Sequence, residues 1–245
     1  MRIIGGDVSV GGTASPPRLE VECLRGGPVT VSLIDGVLIV EQRMTRGRPF
    51  NVNAGPAACV ALTVPPGTPV DVHTVAASVL TAGLAGDILA KTISGTLTAA
   101  YLSGTVELNS ISGDIEVEAV SGRLTATTVS GGITVNAGSV TELSAKSVSG
   151  ELALDLDVKP SGSYECRTAS GDIALRLSPD ASIGVEATSL SGRLDDGYTD
   201  EGRSTRHRLS LRLGADDGAA ALKLQTLSGD VALLRRTPAA SGALA

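Results

Sequence analysis

The sequence predicts an all-β fold, a β-solenoid (β-helix) with about two nine-residue strand-turn units per coil, and three observations carry that prediction. Glycines recur at 86, 95, 104, 113, 122 and 131, nine residues apart each time, which is the mark of a repeat array. Most of them sit in one frame, apolar-Ser-Gly-x-apolar: Ile93-Ser94-Gly95-Thr96-Leu97, Ile111-Ser112-Gly113-Asp114-Ile115 and Val120-Ser121-Gly122-Arg123-Leu124 are the clearest copies. The third observation is side-chain parity. Ile115, Val117 and Ala119 share one face of a strand, whereas Val120 would fall on the other. A flat meander would therefore exchange its buried face at every strand, while a corner near the end of each unit keeps one interior.

Composition agrees with a thin aliphatic interior. Hydrophobic residues make up 42% of the 245, enough for a continuous core, yet there are one Phe, three Tyr, no Trp and 30 Gly. A sandwich of this size would use more large rings to fill its centre. The formal charge of −6 and a pI near 5.0 oppose a sequence-independent grip on phosphates, and platforms for stacking bases are missing. No nucleic-acid partner is expected.

The elements read in order as follows. Residues 1–17 are a flexible N-terminus, and no apolar run of signal-peptide or membrane-spanning length occurs. Residues 18–72 are strands that cap the solenoid: Leu19, Val21 and Cys23 alternate with Glu20 and Glu22, and Val29, Val31 and Leu33 with Thr30 and Ser32. Asp35-Gly36 marks a tight turn into Val37–Val40, and Arg43 to Pro56 is a loop. Cys59 to Val64 is a strand, stopped by Pro65-Pro66-Gly67 because proline donates nothing to a ladder. Residues 73–236 are the solenoid repeats, with a charged hairpin at 195–217, and 237–245 are a disordered tail.

Spacing selects two units per coil. After Gly131 the Ser-Gly glycines lie at 150, 171 and 192, intervals of 19, 21 and 21, which read as coils of eighteen with one or three residues added. The last interval, from 192 to 229, is 37, about two coils. A coil of three units explains these intervals less well. One unit buries about three aliphatic side chains at ~1.5–3 kcal/mol each, against ~1–2 kcal/mol of backbone ordering for each of its residues. No unit folds alone, and the array needs caps at both ends.

The segment Leu62-Thr-Val-Pro-Pro-Gly-Thr68, followed by serial Ser-Gly-Asp-Ile and Ser-Gly-Arg-Leu turns, resembles a bacterial β-strand-repeat family provisionally labelled adhesin, a family of unknown function. The resemblance covers roughly residues 18 to 236. It implies a β-helical domain and, in some relatives, a part in envelope stress sensing or at the cell surface. It carries no catalytic residues.

Candidate chemistry is sparse. Calcium-binding β-rolls need a regular ligand after each turn glycine, but the residues there are Asp87, Thr96, Thr105, Asp114, Arg123, Gly132, Glu151, Asp172, Arg193 and Asp230. Glu151, Asp172 and Arg193 fall into one column, read as a surface ion pair relieving a like-charge contact. His73 and His207 are too far apart in sequence to argue for a relay. His207 lies among Arg203, Arg206, Arg208 and Arg212, close after Asp195, Asp196, Asp200 and Glu201, a run read as a solvated, self-neutralising hairpin. Cys23, Cys59 and Cys166 show no metal-ligand spacing and read as buried free thiols suited to a reducing cytoplasm. No hydrolase elbow, phosphate loop or dinucleotide fingerprint occurs.

The expectation is thus a cytoplasmic, noncatalytic scaffold or binding module with no catalytic, cofactor or metal site. It presents Ser/Thr-rich faces to a protein partner or to itself, as a discrete monomer or small oligomer. The alternatives are a β-helical enzyme acting on polysaccharide and a self-assembling cytoskeletal β-helix.

Overall fold

The computed structural model describes residues 1–43, 57–199, 203–213 and 220–236, and these residues are all β, with nineteen strands hydrogen-bonded into one sheet. The first group is β1 (Arg2–Gly12), β2 (Arg18–Arg25), β3 (Val29–Ile34), β4 (Val37–Gln42) and β5 (Ala57–Val64). The middle group is β6 (Val70–Ala82), β7 (Ala85–Lys91), β8 (Leu97–Ala100), β9 (Ser103–Asn109), β10 (Ile115–Glu118), β11 (Ser121–Thr127), β12 (Ile133–Lys146), β13 (Leu152–Leu156), β14 (Ser163–Arg167) and β15 (Ile173–Leu177). The last group is β16 (Ile183–Gly197), β17 (Arg203–Leu213), β18 (Ala220–Thr226) and β19 (Val231–Arg235).

Through the middle group the pairing is parallel and regular. Leu97, Ile115 and Ile133 are register partners, eighteen residues apart at each step, and so are Ala85, Ser103, Ser121 and Ser139. The strands therefore fall into two stacked columns. One runs through β8, β10, the start of β12, β13 and β15; the other through β7, β9, β11, the end of β12 and β14. Alternation fills the space between them, with burial patterns such as buried-intermediate-buried along β13, and Ile115, Leu124, Ile133, Leu152 and Leu175 are at most 1% exposed.

The added residues have identifiable places. The extra residue opposite β11 is a bulge at Thr141, between the pairs Gly122–Val140 and Arg123–Glu142, and the Thr141 hydroxyl donates to the Gly122 carbonyl at 3.1 Å. The longer insertion is the turn before β14. Tyr164 pins it, its phenolic oxygen accepting the Lys159 N–H and donating to the Val140 carbonyl, each at 2.9 Å. A buried phenol needs such partners, which is why this rare aromatic is a Tyr.

Both ends depart from chain order. Residues 2–12 are not a flexible N-terminus: β1 inserts in parallel between β6 and β5, pairing Val8 with Val79 and with Val60. It turns a corner at Gly6, at a positive φ of 110°, so that Ile3 before the corner and Val8 and Val10 after it are all buried, and this fits it to that slot. At the other end β18 and β19 insert between β14 and β15 on one side and β16 on the other. The 37-residue interval is therefore not two successive coils, because the Gly229 turn sits between those of Gly171 and Gly192. Each outermost strand is covered by an antiparallel one, β5 by β2 and β16 by β17, which removes open parallel edges.

The described part of residues 18–72 contains β2 to β5 and the first residues of β6, and Asp35 and Gly36, both at positive φ (50° and 79°), make the tight turn between β3 and β4. Most of the loop read at 43–56 and all of the tail at 237–245 lie outside the described residues. The charged hairpin begins earlier than 195, since β16 pairs with β17 from Ile183 onward, and its residues 200–202 and 214–217 are also outside the described set. The free-thiol reading is corrected for two cysteines: Cys23 and Cys59 form a disulfide. They are register partners in the β2–β5 pair, so antiparallel pairing brings together two residues separated by 36 in sequence. Cys166 is free and buried, and burial pushes its thiol far above the usual range.

Candidate interaction surface

One sequence frame makes two different corners. At the first corner, between β7 and β8, β9 and β10, or β11 and β12, the residue two before the Ser-Gly serine is Thr92, Ser110 or Thr128, and it is buried. Ser147, Thr168, Ser189 and Thr226 repeat the arrangement. The hydroxyl closes the turn from inside. Thr128 Oγ1 accepts the Gly131 N–H at 3.1 Å and donates to the Gly113 carbonyl one level below at 3.4 Å; Thr168 does the same with Gly171 and Gly150 at 3.1 and 3.2 Å. With both groups satisfied, a polar residue can sit in an apolar interior. At the second corner, between β8 and β9 or β10 and β11, the apolar residue of the frame is itself buried, Leu102 and Val120 being 1% and 0% exposed. There the backbone turns through Tyr101 and Ala119 at positive φ of 55° and 50°.

Closing the first corner from inside turns its apolar residue outward. Val75, Ile93, Ile111, Val129, Val148, Leu227 and Leu190 are between 43% and 69% exposed. Serine N–H groups join each rung to the next through the carbonyls of Val75, Ile93, Ile111, Val129, Val148, Ala169 and Leu227, which gives the order Val75, Ile93, Ile111, Val129, Val148, Ala169, Leu227, Leu190. The result is an eight-rung aliphatic ridge along the stack, with rungs about 4.8 Å apart. Contiguous exposed apolar area of this extent marks interaction surfaces.

The ridge has a charged flank on each side. On one lie Lys91, Lys146 and Arg167; the last two share a single carboxylate, Glu165, so this flank carries surplus positive charge. On the other lie Asp114, Glu151, Asp172 and Asp230, all exposed, none of which forms an ion pair among the described residues, together with Arg193 at the Leu190 level, so that four carboxylates outnumber one cation there. At the upper end a hollow of about 520 Å³ opens beside the ridge, lined by Arg167, Leu190, His207, Gln225 and Leu227. A second trough, about 610 Å³, crosses the outer face of β12, β14, β18, β16 and β17, where Ser163, Ala221 and Gly184 give a low floor. Its carboxylates are already neutralised, Glu142 by Arg123 at 2.8 Å and Glu186 by Arg208 at 2.8 Å.

The residues singled out in the sequence are placed as follows. Glu151, Asp172 and Arg193 lie on one flank, but Asp230 stands between Asp172 and Arg193: its N–H donates to Asp172 Oδ1 at 2.8 Å, and its own Oδ1 accepts the Arg193 N–H at 2.7 Å. These carboxylates serve as backbone caps. His73 Nε2 lies 2.7 Å from Asp71, at the opposite end of the stack from His207, whose Nδ1 lies 3.1 Å from the Leu190 carbonyl. Asp196 is buried and accepts the N–H groups of Tyr198 and Thr199 at 3.0 and 3.1 Å, so it shapes the turn. Among the described residues no group of three His, Cys, Asp or Glu could hold a metal ion, and no helix is long and apolar enough to cross a membrane.

Sequence reasoning missed the ridge, and a signal for it existed. Thr or Ser two places before the Ser-Gly serine separates first corners from second corners throughout the middle of the chain. It also missed an acidic clamp. Burial works against the charge on Asp155, yet hydrogen bonds from Arg236 and Arg176 hold its carboxyl below the ordinary range, with Arg236 also reaching Asp157 at 2.6 Å.

No curated protein matches the chain. One solved structure, a provisionally named cell adhesion protein from Clostridium sporogenes, is similar over 96% of this chain and 91% of its own, at 11% identity and a TM-score of 0.29. Residues 48–234 match the family described as Toastrack DUF4097. That match spans well over half of the sequence and the whole middle stack of strands, and the chain accordingly belongs to the Toastrack DUF4097 family.

Proposed function

We propose that this protein is a noncatalytic binding module, a β-solenoid of two nine-residue units per coil that docks a macromolecule along its aliphatic ridge. The observation that carries this reading is the regularity of the ridge. Seven large aliphatic side chains stay half-exposed at the same corner over eight levels, interrupted only by the smaller Ala169, where a serine or lysine would serve solubility better. Pairing of the trough carboxylates with Arg123 and Arg208 supports a noncatalytic reading, because a general acid needs a carboxyl held protonated, not one neutralised by a cation. The antiparallel covers on both outermost strands support a discrete particle over a filament.

The setting proposed is the cell envelope. The Cys23–Cys59 disulfide supports an oxidising compartment, because such bonds are rare in the cytoplasm, and it removes the ground for the cytoplasmic expectation. A role in envelope stress sensing or surface interaction fits that setting.

The test is photo-crosslinking in the producing cells, with a benzophenone side chain at Val129 on the ridge or at Thr98 on the outer face of β8. Adducts are expected from Val129 and not from Thr98. Equal labelling at both positions, or polysaccharide cleavage by the purified chain, would count against the binding-module reading.

A further inference from the structure

We infer that the occupant of the ridge is a second copy of this chain, docked side by side in parallel about a two-fold axis that runs along the ridge. This rests on the reading of the ridge as a docking surface. The argument comes from the charges that flank it. With positive charge on one side and negative on the other, a face-to-face pair related by an axis across the ridge would set Lys146 and Arg167 toward their own flank on the mate, like against like. An axis along the ridge exchanges the flanks. It sets the Lys146–Arg167 side of one copy against the Glu151–Asp172 side of the other at the same levels, and each rung meets its own counterpart.

The flanks are chemically ready for this. Lys146 and Arg167 divide one carboxylate between them, and Glu151 has no ion-pair partner among the described residues. Higher up, Asp230 of one copy faces the hollow of the other, where Arg167, His207 and Gln225 lie. Size agrees as well. Eight rungs span roughly 34 Å, and a strip roughly 20 Å wide across ridge and flanks gives about 700 Å² per copy, close to the ~800 Å² per partner of a standard interface. The apolar centre with a charged rim is the usual anatomy of such contacts.

Single-cysteine variants separate the arrangements, because the native cysteines are engaged in a disulfide or buried. Ile93→Cys and Leu227→Cys lie near opposite ends of the ridge. In the parallel pair each variant oxidises to a covalent dimer by itself; in an antiparallel pair a covalent dimer forms only when the two are mixed. Sedimentation of the full chain up to roughly 100 µM should show a dimer. The isosteric pair Val129→Thr with Val148→Thr should weaken it on the order of tenfold, with the melting temperature nearly unchanged because both sites are half-exposed. Lys146→Glu should weaken it by a similar factor, and adding Glu151→Lys to that variant should restore it, a rescue that a merely structural role for Lys146 does not produce. A monomer at all concentrations, cross-linking confined to the mixture, or no rescue by the charge exchange would each overturn the inference. A monomer whose Val129 photo-adducts contain a different protein would overturn it while leaving the binding-module reading standing.

Discussion

The two corners of the stack begin from nearly the same three residues and end with opposite exposure. Ile111-Ser112-Gly113 turns its isoleucine to solvent at 50% exposure, while Val120-Ser121-Gly122 buries its valine completely. The difference lies upstream. Ser110 supplies an internal hydroxyl that accepts the Gly113 N–H at 2.8 Å, so the turn is closed from within and the next side chain must point out. Ala119 has no such group, and the chain turns there by adopting positive φ, which carries Val120 inward to fill the corner. One polar atom decides which apolar residue joins the core and which joins the surface.

Four measurements bear on this contrast and on the stack that carries it. The largest effect belongs to the corner glycines. A Cβ at Gly113 would collide with the Gly95 carbonyl of the level below, and one at Gly131 with the Gly113 carbonyl. Neither needs positive φ, so the constraint is close backbone approach. Gly113→Val should cost about 3–5 kcal/mol and lower the melting temperature by on the order of 10 °C, whereas Thr127→Val, on the outer face of β11, should barely move it. Equal tolerance at the two positions would remove the stacked-corner account.

Next comes the apolar residue itself. Leu102→Ala at a second corner empties a core position and should cost ~2–5 kcal/mol. Ile111→Ala at a first corner should stay within about 0.5 kcal/mol. Chemical denaturation of the two variants side by side is the direct check, and comparable losses would mean that the ridge contributes to the core.

The hydroxyl that separates the corners comes third. Thr128→Val keeps the shape but leaves the buried Gly131 N–H without its acceptor, at a cost of about 1–3 kcal/mol. Hydrogen exchange at Gly131 should accelerate in this variant while the amide of Ile115 stays protected. Unchanged exchange would show that the turn holds without the hydroxyl.

The smallest effect concerns the levels of β13, β15 and β19, where Asp155, its side chain only 13% exposed, clamps Arg176 and Arg236. Its folded carboxyl titrates below the unfolded value of ~3.9. Its contribution is therefore fully present above that pH and is lost as the pH falls through the lower folded value. Asp155→Asn should cost about 1–2 kcal/mol at neutral pH, between an exposed pair and a buried one, and should flatten the acid limb of the stability curve below about pH 4. Parallel acid limbs in the two proteins would show that the clamp adds nothing.

Much of this fold is legible in the residues. Alternation along Ile115, Val117 and Leu124, Ala126 names the interior, and the spacing of glycines anticipates the eighteen-residue register between Leu97, Ile115 and Ile133. The surface was less legible, because Ile111 and Val120 are both aliphatic and both precede Ser-Gly. Only the buried Ser110 distinguishes them, and an isolated serine reads as turn chemistry unless its hydroxyl is known to face inward.

Local periodicity thus determined the all-β class, the stacking repeat and the aliphatic interior, since these follow from neighbours two or eighteen residues apart that must share a face. Tertiary structure alone decided three things: that β1 enters between β5 and β6, that β18 enters between β14 and β16 and β19 between β15 and β16, and that Cys23 meets Cys59. The physical reason is that a parallel strand edge accepts any segment with matching alternation, whatever its distance along the chain. Which segment fills the slot depends on how the two ends of the whole stack are closed, and no window of sequence contains that choice.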